Sequence, residues 1–411
     1  MKNLYSNKDF MILWSGQSVS KLGNRFFNLA IMWYVAQQTG SSLALGLTII
    51  CFTLPTVIIG PLAGVWADKY DKNFFLVWVD ILNGILMIVV AWLMTKQLLT
   101  IHLLYFLLIL SSSFTAIFNP FITSTVPLIV CERFLSKANS LTQFSTQLSN
   151  VIGPALAGIL IASTDNLGIL ILINGITFIL SGISVLFIHI PKVISDSSTT
   201  VFLHNLKQGF ECVIQNKQLL YLLLIGGVII NFFLAPLSVF FTIICNEILN
   251  TGAVGLGMIN SSMAIGAIFG TILVLFNLFQ NKFKMVILGL LFEGIALFLM
   301  GIYMQYYMTL IAVWILGLGL SLSGVGISTL YQSMVPKEKM GRVLSIVSTF
   351  CSLSVPLGTL FGSIITNYIP LPTVLWSFGI VIGLSGLSFV AIFYNKDKNI
   401  SMEQKASNTS I

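Results

Sequence analysis

Four ionisable side chains stand inside long apolar runs of this 411-residue chain: Lys21, Arg25, Asp80 and Glu293. A charge at the centre of a bilayer costs at least ~2.5–3.5 kcal/mol, so each needs a partner, an aqueous cavity or a task. Lys21 and Arg25 are four residues apart and share one face of a helix. Two like charges on one face repel, which points to a water-filled cavity or an acidic partner. Arg25 is then a candidate for contacting a substrate or a coupling carboxylate. Glu293 sits near the centre of its run, where a carboxyl could load and release a proton near neutral pH. Asp80 offers the same chemistry. Local pairing of Asp80 and Glu293 with polar neighbours is an equal alternative. Asn119, followed by Pro120, and Asn231 are further polar points that could line a cavity. A proline inside a span frees a carbonyl and permits a bend, and Pro55, Pro154, Pro236 and Pro356 are placed to do so as well.

Other chemistry is missing from the chain. No G-x-x-x-x-G-K-[ST] run occurs, so ATP hydrolysis is not expected. His102, His189 and His204 are far apart, and no metal site or cofactor is expected. Cys51, Cys131, Cys212, Cys245 and Cys351 are scattered without a CxxC and read as small core residues. No nucleophile and base can be paired, so the chain is not read as an enzyme. An intramembrane enzyme is the rival class, and turnover of a lipid substrate without any gradient would reveal it.

The elements that position these residues follow from composition. Hydrophobic residues make up 56% and charged residues 8% of the chain, against about 25% charged in soluble domains. Such a chain needs lipid as its solvent. Twelve apolar runs are long enough to span, at about 10–36, 45–67, 74–95, 101–125, 139–163, 168–190, 219–245, 254–279, 284–302, 308–333, 342–366 and 372–394. The first is too long for the core of a signal peptide and lacks a cleavage site, so it is expected to remain as a helix. The fold class expected is an all-α membrane protein. It has two six-helix bundles, 1–190 and 219–411, joined by a cytoplasmic linker, 191–218, with a polar run and an amphipathic piece.

The net charge of +7 is dispersed between spans and forms no patch for nucleic acid. Leaving aside Lys21 and Arg25, all of the 20 basic residues except Lys96 fall on one side when both termini are cytoplasmic. That asymmetry is the positive-inside signature, and an odd span count would spoil it. Only Arg25, Arg133 and Arg342 are arginines, a bias suggesting an AT-rich bacterial genome and a multi-pass plasma-membrane protein.

The halves echo each other. Gly60, Lys72 and Gly84 stand twelve apart, and so do Gly270, Lys282 and Gly294. Parallel repeats of this kind suit a transporter that rocks one half against the other. Small residues four apart let helices approach closely in lipid. Gly153 with Ala157 and the adjacent Gly158, Gly266 and Gly270, and Gly358 and Gly362 are expected to form faces between the halves, with ordinary static packing as the alternative.

At Gly60-Pro61-Leu62-Ala63-Gly64-Val65-Trp66-Ala67-Asp68-Lys69-Tyr70-Asp71-Lys72 the sequence resembles motif A of the major facilitator superfamily. Asp71 and Asn73 depart from its usual glycine and third basic residue. Trp14-Ser15-Gly16-Gln17, Thr39-Gly40-Ser41, Asn174-Gly175-Ile176-Thr177-Phe178 and Met340-Gly341-Arg342-Val343 look like the drug-exporter branch that includes macrolide efflux proteins and the enterobactin exporter. The resemblance implies the major facilitator fold and a gating role for Gly60, Gly64, Asp68, Lys69, Asp71 and Lys72. Asp68 would dock on the positive end of the eleventh helix, which begins near Arg342, and lock the cytoplasmic side. The alternative is a solvated, positive-inside turn. Related exporters often carry Gly-Asp where this chain has Gly23-Asn24, so Asn24 takes the place of one proton site.

The function expected is a monomeric secondary transporter, a proton-coupled efflux antiporter for an amphipathic small molecule such as a macrolide, and hence antibiotic resistance. Alternatives are export of an endogenous metabolite, peptide or siderophore, and lipid flipping. The partners are the substrate, the proton gradient and the bilayer.

Overall fold

The computed structural model describes residues 4–164, 166–191, 210–211, 213–276, 281–335 and 340–408. For Pro61, Val65, Asp68, Lys69, Glu132, Arg133, Ser136, Gly341, Arg342, Ser345 and residues 390–408 it describes the backbone alone. Most of the expected linker, 192–209 and Cys212, therefore lies outside the described residues.

The described chain is helical throughout. The long helices are α1 (Lys8–Thr39), α2 (Ser42–Lys69), α3 (Lys72–Thr95), α4 (Ile101–Ile129), α5 (Glu132–Thr164) and α6 (Leu167–Leu186). They continue with α7 (Lys217–Ile248), α8 (Gly252–Leu275), α9 (Lys282–Ile302), α10 (Tyr306–Met334), α11 (Met340–Ile365) and α12 (Leu371–Asn408). The loops start the helices by side-chain capping. Asn7, Ser41, Asp71, Thr100, Asn166, Asn216 and Asn281 each accept a hydrogen bond from a backbone N–H of the following first turn. Gly40 closes α1 at φ 54°, a left-handed conformation that favours glycine.

Eleven of these helices, α2 to α12, are long and apolar enough to cross a membrane. The exception is α1. It carries Lys8, Asp9, Lys21 and Arg25, which lower its hydropathy, yet it packs lengthwise on α5 and α6. The last helix also differs from expectation. It runs on to Asn408 because no proline or glycine follows Gly386.

The chain divides into two compact units. One holds α1–α6 with segments Ala235–Ser261 and Val355–Tyr368. Within it α3 packs on α6, α1 on α5 and α6, and α2 on α4. A Cβ at Gly84 would sit 2.8 Å from the Gly175 carbonyl oxygen, and one at Gly175 would sit 2.9 Å from that of Gly84. Only glycine on both sides allows so close a seam. The other unit holds Asn205–Leu234, Ser262–Ser354 and Ile369–Ile411, and there α9 packs on α10 and α12. The same seam recurs between α9 and α12, where Gly294 and Gly379 stand 2.6–2.7 Å from each other's carbonyl oxygens by the same measure. Gly182 against Val77 is matched by Gly386 against Ile287. The packing at Gly84 thus recurs at Gly294, whereas the other pair of the spacing repeat differs: among the described residues Gly60 has open space and Gly270 meets Leu318.

Helix α7 is interrupted. Its turns widen to π-helix at Leu223–Ile229 and Ile244–Ile248, and it breaks at Ala235–Pro236, where proline supplies no N–H.

Candidate functional site

Gly16 and Gly23 bring one face of α1 against α6, at Ser184 and at Thr177 and Asn174. That fixes the helix's rotation. Gln17, Lys21, Asn24 and Asn28 follow at spacings of four, three and four, so they form a polar stripe on one side. Two cavities lie along this stripe, both within the first unit. One, of ≈ 490 Å³, is walled by Gln17, Lys21 and Asn24 with Asp80, Asn83 and Asn119. The other, of ≈ 590 Å³, is walled by Lys21, Asn24, Arg25 and Asn28 with hydroxyls and amides of α2, α4, α5, α7 and α8. Lys21, Asn24 and Thr115 face both.

Asp80 is only 2% exposed, yet it belongs to the wall of the first cavity. Gln17 orients it: the amide Nε2 donates to Asp80 Oδ2 at 3.5 Å and to Ser181 Oγ at 2.8 Å. Lys21 Nζ donates to Thr146 Oγ1 at 2.8 Å. The stem of Arg25 packs where Gly153 leaves room on α5. Among the described residues, the wall of the second cavity contains Lys21 and Arg25 and no aspartate or glutamate.

The structure thus places Lys21, Asn24, Asp80 and Asn119 on the first cavity, Lys21, Asn24 and Arg25 on the second, and leaves two other candidates apart. Glu293 is fully buried; Ser323 Oγ donates to its Oε1 at 2.6 Å, and Oε2 has no hydrogen-bond partner. It lines neither cavity. Asn231 turns back on its own helix, donating to the carbonyls of Gly226 at 3.0 Å and Gly227 at 3.2 Å beside the π-helical stretch.

In the motif at 60–72, Lys72 is buried and its Nζ donates to the Ala67 carbonyl at 2.5 Å, placing a cation at the C-terminal end of α2. Asp71 caps α3 through Asn73 N at 3.0 Å. Gly60 and Gly64 have open space where a Cβ would stand, along a groove shared with α4. The expected contact of Asp68 with the start of α11 falls on side chains outside the described set, as do Lys69 and Arg342. Of the glycines expected at faces between the halves, Gly158 approaches Ala253 of α8, with its Cβ position 2.6 Å from the carbonyl oxygen. The others named pack on helices of their own half instead: Gly153 meets Arg25 of α1, Gly362 meets Pro236 of α7, and Gly266 and Gly270 meet Trp314 and Leu318 of α10, while Gly358 is buried.

Sequence reasoning did not single out Gln17, Asn28 or Asn83 as site residues. The stripe periodicity on α1 carries the signal for the first two. Asn83 accepts from Ser111 Oγ at 2.7 Å, a pairing across helices that nothing in the spacing announces.

The model of the transmembrane secretion effector family matches residues 4–409. Macrolide efflux protein A of Streptococcus pyogenes is 27% identical over 369 residues, covering 88% of this chain and 90% of that protein. Macrolide efflux protein A of Enterococcus faecalis is 28% identical over 78% of this chain and 99% of its own length. Among solved structures, a point mutant of the nucleoside transporter NupG superposes with a TM-score of 0.75 at 11% identity, covering 93% of this chain and 99% of that one. That likeness shows the major facilitator fold. A polar, cavity-bearing helical bundle in a membrane is what a multi-pass transporter of small molecules requires, and the chain belongs to the transmembrane secretion effector family of the major facilitator superfamily.

Proposed function

We propose that the protein is a monomeric, proton-coupled exporter of an amphipathic small molecule, working by alternating access across a bacterial plasma membrane. The cargo that the relatives' names suggest is a macrolide-like drug. The halves are residues 1–190 and 219–411, joined by 191–218, with both termini in the cytoplasm. The repeat of the α3·α6 seam as α9·α12 supports that division, and the one-sided lysines and arginines support that orientation.

The observation that carries the coupling is the position of Asp80 at a cavity wall. A carrier must meet water, and through it the gradient, and must sense the cargo. Asp80 has Gln17 and Lys21 of α1, Asn83 of its own helix, Thr115 of α4 and Ser181 of α6 around it or across the cavity. Its proton would leave towards one side and be replaced from the other as the cavity changes access. Cargo held at Lys21 and Asn24, which face both cavities, would share the wall that holds Asp80 and bias the exchange.

The test is a susceptibility panel in a host lacking its own pumps, joined to proton-flux measurement in inverted vesicles. The expected outcome is raised tolerance to at least one amphipathic compound, which also evokes proton movement that Asp80→Asn removes. If no compound shifts tolerance and none moves protons, the reading fails.

A further inference from the structure

The second cavity has a charge imbalance. Lys21 and Arg25 lie one helical turn apart on its wall, and among the described residues no carboxylate lines it; Lys21 also faces the first cavity, which holds Asp80, whereas Arg25 faces the second cavity alone. Lys21 reaches the neutral Thr146 hydroxyl. Arg25 has no hydrogen-bond partner among the described residues. The carboxylates within the other spans are committed elsewhere. Asp80 is held by Gln17, Glu293 is sealed against Ser323, and Glu247 is exposed at the end of α7. Two cations set in a low-dielectric wall without an acid repel each other and any cationic guest. They are stabilised when the guest brings the counter-charge.

The remaining wall says what else the guest carries. Asn28, Thr53, Ser149 and Asn260 offer hydrogen bonds, while Phe27 and Phe52, packed edge to face at 5.9 Å, give an apolar side. A volume of ≈ 590 Å³ suits a molecule of drug or metabolite size. Arginine is the side chain best matched to a planar carboxylate, which it binds in a fork of two parallel bonds.

We infer that this cavity selects organic anions: its cargo is an amphipathic, hydroxyl-bearing carboxylate whose acid group is bound by Arg25 and Lys21. Protonated amines, the charge state of basic drugs and of the amino sugar of a macrolide, are disfavoured there, so this inference keeps the export reading and replaces the macrolide-like cargo with an acid. The inference rests on the export reading for its biological meaning, but its binding chemistry stands apart from coupling.

The experiment uses two dyes built on one ring system, carboxyfluorescein as the anion and rhodamine 6G as the cation. Fluorescence polarisation with the purified full chain in detergent measures binding without a gradient. Carboxyfluorescein is expected to bind saturably, at least about tenfold more tightly than rhodamine 6G, and less tightly as salt rises. Arg25→Gln and Lys21→Gln are each expected to weaken the anion about ten- to a hundredfold. Arg25→Lys, which keeps the charge, recovers most of the loss. Gel-filtration profiles of the variants guard against misfolding. Equal binding of both dyes, absent binding of the anion, or anion binding untouched by Arg25→Gln in a well-folded protein overturns the inference. Anion binding as expected, without accumulation in energised inverted vesicles, leaves the anion site standing and sinks the export reading. Vesicles that accumulate rhodamine 6G and ignore carboxyfluorescein do the reverse.

Discussion

Asp80 and Glu293 are both carboxyls buried in membrane helices, and their surroundings differ. Asp80 stands at a cavity wall. Glu293 is enclosed by α9 and α10, with the Gly319 backbone pressed against its side chain. The internal repeat supplies a comparison. Asn83 immediately precedes Gly84, as Glu293 immediately precedes Gly294, and each accepts a hydroxyl proton from a serine of the next helix. A neutral amide thus fills the Glu293 role in the first unit. Glu293→Gln keeps an oxygen for Ser323 and is expected to leave vesicle transport within about twofold of the parent. Asp80→Asn is expected to lower proton-driven transport at least about tenfold, the effect of removing a positioned proton-transfer group. Transport lost in Glu293→Gln and kept in Asp80→Asn would move the carrier to α9.

At the scale of helices, glycine has two opposite uses in this chain. At Gly84 and Gly294 it is a contact residue, because a methyl group would enter the facing backbone. Gly84→Ala and Gly294→Ala are each expected to cost about 1–3 kcal/mol through overpacking, read as a fall in the thermal midpoint of the purified protein. At Gly64 no atom of the described residues lies within 4 Å of where a Cβ would stand. There Gly64→Ala is expected to stabilise this state by up to ~1 kcal/mol from helix propensity alone. If the groove beside Gly64 receives another helix during the cycle, the same variant loses transport while gaining stability. Equal thermal shifts at all three sites would refute the distinction. These roles mark the limit of what the sequence reveals. The helix spans, the α1 charges and the spacing of Gly60 to Gly84 against Gly270 to Gly294 are legible, because hydropathy and periodicity are local properties. Which glycine has a neighbour is not, since Gly60 and Gly84 look alike in sequence. The cavity wall is half legible. Lys21, Asn24 and Arg25 declare themselves by charge or spacing, whereas Thr146, Ser181 and Thr242 are hydroxyls in helices, which ordinarily bond their own preceding turn. The breaks in α7 are visible only as Pro236, and the π-helical turns have no sequence signal.

At the scale of the molecule, alternating access requires that some contacts between helix ends be temporary. The first unit gathers the later part of α7, the start of α8 and the end of α11 onto α2 and α5. Ser42 Oγ, at the start of α2, lies 2.9 Å from the Ser363 carbonyl and 3.0 Å from Asn367 Oδ1 at the end of α11. Ser261 Oγ of α8 donates to the Val151 carbonyl of α5 at 2.5 Å, and Gly257 fits against Pro154. These are a few hydrogen bonds and close glycine contacts, each worth about 1 kcal/mol net, a strength that can be broken and remade in a transport cycle. The Val151 and Pro154 contacts lie near the middle of α5, and the Ser42 bonds lie at the end of α2 far from the 68–72 turn, the side that the positive-inside pattern would assign to the exterior. If that side must open to release cargo, tying it shut must stop transport. In a background with Cys51, Cys131, Cys212, Cys245 and Cys351 replaced by serine, Ser42→Cys with Asn367→Cys places two thiols within reach of each other and of a short dithiol-reactive linker. Cross-linking is expected to reduce vesicle transport at least tenfold, with recovery after a reducible linker is cleaved; each single cysteine treated alike is expected to stay near the parent level. Undiminished transport in a fully cross-linked sample would mean that α2 and α11 never part at this end, and the cargo would need a route between other helices.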